Sequence, residues 1–314
     1  MTTVTMKGVS LALDDHGQVA QLHGLGIQCF GGTYYAYGEN KANGNRFQGV
    51  ACYTSDDLAH WRSEGIVLGV RESGLLAADT IAERPKVLRC PSTGEYVMYI
   101  HTERGDYNYA HIGVAVADNP LGPFRFLFSM QPFGNISRDI GVFQDEDGAG
   151  YLISEDREHG THIYRLSGDY HSVVEDVACE RGTNYEYGYE SPTIIRHEGL
   201  YYWFGSQLTG WNCNDNMFAT ATDLHGPWSE PRTLVEQDPA HKLYGTGHHN
   251  IVNIPGTDEW IIAYHRFAYN PAGRWSGGDG CHRETVFAPL NHNADGTLEP
   301  VRPQTGSYIR PLNF

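Results

Sequence analysis

Short apolar runs, each opened by a turn signal and alternating with polar positions, recur along this chain. Gly32-Thr-Tyr-Tyr-Ala-Tyr37, Gly94-Glu-Tyr-Val-Met-Tyr99, Gly150-Tyr-Leu-Ile153 and Gly199-Leu-Tyr-Tyr-Trp-Phe204 share one pattern, and Asp258-Glu-Trp-Ile-Ile-Ala-Tyr264 keeps its aromatic without the Gly. Each reads as a turn leading into a half-buried strand. A second pattern follows downstream in Gly49-Val-Ala-Cys-Tyr53, Gly113-Val-Ala-Val-Ala117 and Phe218-Ala-Thr-Ala-Thr222, each ending at an Asp-led turn and an aromatic. Five units of about four strands each predict an all-β five-bladed β-propeller over residues 1–314 as one catalytic domain. No long segment shows 3.6-residue amphipathic periodicity, which argues against an α/β fold; a β-sandwich with chance Tyr spacing is the competing architecture.

Composition narrows the function. The chain has 22 Lys+Arg against 38 Asp+Glu, a formal charge of −16. Phosphate binding needs clustered cations, so nucleic acid is not an expected partner. No apolar run approaches the ~20 residues that span a bilayer, and residues 1–10 lack the apolar core of a signal peptide. No membrane partner is therefore expected, and the expected location is cytoplasmic, or secreted if a signal peptide has been removed. The six Cys are scattered without a C-x-x-C pair, which indicates neither a zinc site nor a disulfide scaffold.

The repeat also supplies a register. Counting back 11 to 13 positions from Tyr35, Tyr96, Tyr151, Tyr201 and Trp260 lands on His23-Gly24, Glu83, Asp139, Glu190 and His248. Innermost strands of a propeller run side by side around its axis, so these positions should form a ring at one mouth. Carboxylates converging among aromatic side chains suit glycoside hydrolysis, in which a carboxylic acid protonates the leaving oxygen and another group handles water. Tyr37, Tyr107, Tyr109, Tyr187, Trp211 and Trp275 are candidate faces for sugar rings.

These residues resemble glycoside hydrolase family 43, five-bladed propellers acting on plant polysaccharides with inversion. Within it they are most similar to the exo-β-1,3-galactanases, also called galactan 1,3-β-galactosidases. The segments that bear the likeness are Tyr37-Gly-Glu-Asn-Lys41, Glu83-Arg-Pro-Lys-Val87, Tyr107-Asn-Tyr-Ala110, Ser137-Arg-Asp139, Glu190-Ser-Pro192 and Thr209-Gly-Trp211. The resemblance implies Glu190 as general acid, Asp139 as the carboxylate that tunes it, and Glu83 as the additional glutamate of the galactanase group. It also implies sugar contacts at Glu39 and Thr209. The usual base aspartate of the family is replaced by Gly24, and the place of the galactanases' fifth-blade glutamine falls on His248. That segment, Gly245-Thr-Gly-His-His-Asn250, with Tyr264-His-Arg266, is more like the arabinofuranosidase and xylosidase members. Glu83, His248 or the pair together are left as the candidates for activating water, with Glu83 favoured because it lies across the funnel from the acid.

The expected function is thus an exo-acting inverting glycoside hydrolase releasing terminal galactose from β-1,3-galactan or arabinogalactan-type oligosaccharides. An α-L-arabinofuranosidase or β-xylosidase, or a non-catalytic carbohydrate-binding propeller, are the alternatives. His23, Tyr107, Tyr109, Trp211, His248 and Arg283 join Glu39 and Thr209 as expected substrate contacts. No cofactor is expected to be required, although His248 makes a structural cation on the axis, calcium or sodium, conceivable. Asp145-Glu-Asp-Gly148 resembles part of a calcium loop but reads better as a hairpin turn, and Asn135-Ile-Ser137 fits the glycosylation pattern. Arg274 and Trp275 in the Gly-rich stretch before Cys281 are candidates for covering the funnel.

Overall fold

The computed structural model describes residues 2–7, 13–18, 20–180, 188–208, 215–235, 250–267, 283–301 and 307–312. Side chains of 2–7, 235, 264–267, 283–286 and 307–312 are outside that description. Strand β1 (Thr2–Lys7) is followed by sheets that fall in sequence order. Blade I comprises β2 (His23–Phe30), β3 (Thr33–Glu39), β4 (Val50–Ser55) and β5 (Arg62–Leu68). Blade II comprises β6 (Ile81–Arg89), β7 (Tyr96–Glu103), β8 (His111–Ala117) and β9 (Arg125–Met130). Blade III holds β10 (Ile140–Gln144), β11 (Gly150–Asp156), β12 (Gly160–Leu166) and β13 (Val173–Glu180). Blade IV holds β14 (Tyr189–His197), β15 (Leu200–Gln207), β16 (Asn216–Ala221) and β17 (Arg232–Val235). Three described strands, β18 (Asn250–Asn253), β19 (Trp260–Phe267) and β20 (Arg283–Leu290), make blade V, and β21 (Ser307–Leu312) pairs antiparallel with β1.

All pairings within a blade are antiparallel neighbours in sequence, as turn-linked strands require. The first strands of the five blades touch in a closed ring, β2 to β6 to β10 to β14 to β18 and back to β2. The five-bladed propeller expected from the sequence is therefore the observed fold.

Both faces of each sheet must be covered, and five apolar clusters do this, one at each blade interface. Tyr37, Cys52 and Val67 of blade I pack with Val87, Met98 and Ala115 of blade II. Ile153 and Ile163 of blade III meet Ile194, Trp203 and Met217 of blade IV. The ring closes where Leu25 and Ile27 meet Val252, Ile261 and Phe287, with Trp61 stacked on Phe287 at 6.3 Å. The outermost strands are half wet: β13 alternates between exposed and partly buried positions, as an edge strand should.

The recurring aromatics have a structural explanation. Tyr96 of blade II lies edge-on to Phe30 of blade I at 5.0 Å. Tyr201 of blade IV meets Phe143 of blade III at 6.0 Å, and Trp260 of blade V meets His197 of blade IV at 6.0 Å. These rings wedge neighbouring blades apart at the far ends of the inner strands. Asp145–Gly148 forms the hairpin between β10 and β11, closed by Gly148 N–H donating to Asp145 O at 2.9 Å. The Asp145 carboxylate accepts from Tyr201 Oη (2.6 Å) and Arg196 Nη1 (3.0 Å), so it is a blade-to-blade tie.

Candidate active site

Four ionisable residues stand at the same place in four blades. His23, Glu83 and Glu190 are the first, third and second residues of β2, β6 and β14, facing Glu39, His101 and Ser206 on the second strands. Asp139 directly precedes β10 and keeps register through Glu155 N–H, which donates to its carbonyl at 2.8 Å. The sequence register thus places Glu83, Asp139 and Glu190 at one mouth. His248, in the fifth position, lies outside the described residues, as do Thr209, Trp211, Tyr187, His249, Arg274 and Trp275. Arg283 opens β20 opposite Phe267, and its side chain is outside the description.

Immediately after the register position, β2, β6 and β14 each carry a bulge. The residues in it, Gly24, Arg84 and Ser191, all have positive φ (61°, 60° and 51°). For Arg84 and Ser191 this left-handed backbone costs about 1–2 kcal/mol each. Carboxylates from the preceding blade hold it in place. Arg84 N–H donates to Glu39 Oε1 at 2.9 Å, and Ser191 N–H and Oγ both donate to Asp139 Oδ2 at 3.0 Å. Pro85 and Pro192 follow the two bulges, where a missing N–H is tolerated.

Gly24, in the place of the family's base aspartate, consequently has no room for a side chain. A Cβ at this position would overlap Glu39 Oε1 and come within 2.9 Å of Arg84 N. The Glu39 carboxylate fills the space that an aspartate side chain at Gly24 would need. Lys86, buried below, donates from Nζ to Gly24 O at 2.9 Å and ties blade II to the blade I bulge.

The carboxylates fall into two groups. Glu39, 2% exposed, accepts from Lys41 Nζ at 3.0 Å and pairs with His23 Nδ1 at 2.8 Å. Burial alone would raise it, but His23 and Lys41 outweigh burial and hold it well below the usual carboxylate range. Asp139 pairs with Arg84 Nε at 2.8 Å. That guanidinium, with further help from the Ser191 hydroxyl, overcomes the burial penalty and keeps Asp139 low. Both are fixed anions.

Glu190 behaves in the opposite way. Burial, then the charges of Asp139 and Glu155, push it up to about 8, against the pull of Arg157 and Arg84. Its Oε1 is 2.8 Å from Arg157 Nη2. Glu83 is enclosed to the same degree but has other partners: Oε1 accepts from Tyr107 Oη at 2.9 Å and from Lys41 Nζ at 3.4 Å, and Oε2 lies 3.6 Å from His101 Nδ1. The structure therefore brings Glu190, Asp139, Glu83, Glu39, His23 and Tyr107 together.

Tyr109 packs within blade II. Its ring stacks on His111 at 3.7 Å and its hydroxyl bonds Ser129 Oγ at 2.9 Å, on blade II's outer strands. Its contribution to the mouth is its N–H, which donates to Glu103 Oε2 at 2.8 Å. Tyr37 is a buried core residue whose hydroxyl donates to Pro120 O, so it offers no face to a sugar. Among the described residues no group of three or more His, Cys, Asp or Glu side chains is arranged to hold a metal ion.

Arg84, Arg157, Glu155, Lys41 and Lys86 were not singled out in the sequence. The Glu-x-Pro pattern shared by Glu83-Arg84-Pro85 and Glu190-Ser191-Pro192 marked the bulges. Nothing local marked Arg157, whose partners lie on β11 and β14.

An acid held protonated beside a fixed anion, at the mouth of a five-bladed propeller, is the equipment of a carboxylate-dependent glycoside hydrolase. Residues 26–298 match the glycosyl hydrolases family 43 model, and the chain belongs to that family. It is 54% identical to a Bifidobacterium bifidum s17 protein of known structure, provisionally described as an exo-β-1,3-galactanase, over 94% of this chain and 96% of that one, with a TM-score of 0.86. The exo-β-1,3-galactanase of Phanerochaete chrysosporium, solved with galactose, is 28% identical over 95% of this chain and 67% of that one, with a TM-score of 0.83. A curated relative, the β-D-galactofuranosidase xynD of Aspergillus niger, is 25% identical over 87% of this chain and 80% of its own length. The chain is a glycoside hydrolase, and a purely non-catalytic propeller is set aside.

Proposed function

We propose that the protein is an exo-acting, inverting hydrolase that removes terminal galactose from β-1,3-linked galactan or arabinogalactan-type oligosaccharides. The reading is supported most by the unlike surroundings of two neighbouring carboxylates: Asp139 accepts from Arg84 and Ser191 and is held low, whereas Glu190 faces Asp139 and Glu155 and is pushed up. Glu190 is the general acid, donating its proton to the glycosidic oxygen. Asp139 keeps the negative charge that makes Glu190 reluctant to ionise, and holds the bulge that aims it. Glu83, with Tyr107 and Lys41 around one oxygen, orients water or sugar hydroxyls across the funnel and is the favoured water-activating carboxylate. His23 and Glu39 support the floor of the same mouth, and Thr209, Trp211, His248 and Arg283 are assigned to sugar contact.

The likeness to the galactanases supports galactose as the sugar. The test is a panel of β-1,3-galactobiose and galactotriose with aryl β-galactopyranoside, α-L-arabinofuranoside, β-xyloside and galactofuranoside, followed by proton NMR of the nascent product. Galactose released first as its α-anomer, one unit at a time, supports the reading. Turnover confined to the furanosides or xyloside, or β-galactose as the first product, would contradict it.

A further inference from the structure

Arg157 sits in the turn just after β11 with its guanidinium shared between two carboxylates. Nε donates to Glu155 Oε1 and Nη2 to Glu190 Oε1, both at 2.8 Å. Glu155 is fully buried, whereas the Arg157 side chain is 47% exposed. One carboxylate of the arrangement is therefore enclosed completely, and the guanidinium that it shares with Glu190 is half exposed. The groups around Glu190 among the described residues are Asp139 before β10, Glu155 and Arg157 from β11 and its turn, Arg84 from β6, and Ser206 opposite on β15.

A general acid must turn its oxygen to the glycosidic oxygen, on the side of the departing sugar. Arg157 Nη2 holds Glu190 Oε1. A leaving-group sugar that reaches this oxygen competes with Arg157 for it. We propose that Arg157 is a removable counter-charge for the acid: tethered by Glu155, it pairs with Glu190 in the free enzyme and is displaced from it by the sugar on the leaving-group side.

The consequence is a proton affinity that changes during the cycle. Paired with Arg157, Glu190 is pulled toward its carboxylate form; released, it keeps its proton more firmly, just when that proton is needed. On cleavage the anomeric C–O bond breaks, the Glu190 proton passes to the leaving oxygen, and water adds to the anomeric carbon, losing its proton to the base. The Glu190 carboxylate then meets Arg157 again as the leaving sugar departs, and solvent reprotonates it. Arg157 is thus a positioning residue acting through Glu190.

The inference rests on Glu190 being the acid, and the two fail separately. The alkaline limb of kcat/KM reports the acid in the free enzyme, and that of kcat reports it in the complex. On β-1,3-galactotriose the wild type should show the kcat limb at higher pH than the kcat/KM limb. In Arg157→Gln the kcat/KM limb should rise by roughly one unit or more and meet the kcat limb. Arg157→Lys, which keeps the charge, should restore the separation. Coincident limbs in the wild type, or a kcat/KM limb that Arg157→Gln leaves in place, would overturn the proposal. If instead Glu190→Gln slows activated and unactivated substrates equally, the assignment of the acid falls, whatever the limbs do.

Discussion

The mouths of blades III and IV present carboxylates at the same register, and the protein treats them in opposite ways. Asp139 is surrounded by donors: Arg84 Nε on one oxygen, the Ser191 N–H and hydroxyl on the other. Glu190 receives one guanidinium bond, from a half-exposed arginine, and faces two neighbouring anions. Burial is nearly the same for both side chains, 9% and 14% exposed. What separates them is the number and sign of their partners, so position in the repeat fixes location while the neighbouring blade fixes chemistry. Glu39 in blade I follows the Asp139 pattern, accepting from the bulge N–H of the next blade. The mouth is therefore stitched from blade to blade by fixed anions, and Glu190 and Glu83 stand outside that stitching.

The strongest way to break this comparison is to put a carboxylate where the structure says none fits. Gly24→Asp would collide with Glu39 and force an aspartate into φ 61°. It should lose more than about 4 kcal/mol in denaturant unfolding, with no gain in turnover. A folded, faster Gly24→Asp enzyme would mean that the site had lacked its base there.

Asp139→Asn should cost about 3–5 kcal/mol, because the largely enclosed Arg84 loses the carboxylate paired with its Nε. Removing the negative neighbour should also move the alkaline limb of kcat/KM to lower pH, which a pH profile of the surviving activity reads directly. Trp203→Ala, in the blade III–IV interface, should lose a similar ~3–5 kcal/mol by leaving a cavity. Its limb should not move. The pair of variants thus separates the charge of Asp139 from mere loss of stability.

The smallest effect concerns stability against pH. Glu190's folded pKa is raised above its unfolded value of about 4.3, so the native state holds the proton more tightly and stability falls as pH rises from there to about 8. Asp139 is depressed and has the opposite sign: its contribution is present above its unfolded pKa of about 3.9 and is lost as pH falls through the lower folded value. Glu190→Gln should therefore match the wild type near pH 4 and exceed it by on the order of 1 kcal/mol or more at pH 8. Equal thermal midpoints at both pH values would mean that Glu190 is not held protonated.

The blades were readable because their signal is local: a turn, an aromatic and alternation repeated five times. The carboxylate ring was readable because the repeat transfers register between blades. Gly24 was only half legible, because the sequence records an absent side chain without recording that Glu39 reaches across from β3 to fill its place. The packing of Tyr109 was not legible because its partners include Ser129, twenty residues away on β9. Arg157 was invisible for the same reason, since one of its partners lies thirty-three residues on in the next blade. Side chains that join blades are fixed by packing between repeats, which no single repeat encodes.

The central claim, that Glu190 gives its proton to the leaving sugar, is tested most directly by leaving-group dependence. Wild type and Glu190→Gln would be compared on β-1,3-galactobiose and on dinitrophenyl β-galactoside, whose leaving group departs without protonation. The account predicts a loss in kcat/KM of about 10²–10⁴-fold on the disaccharide and a far smaller one on the aryl glycoside. Equal losses on the two substrates would contradict it.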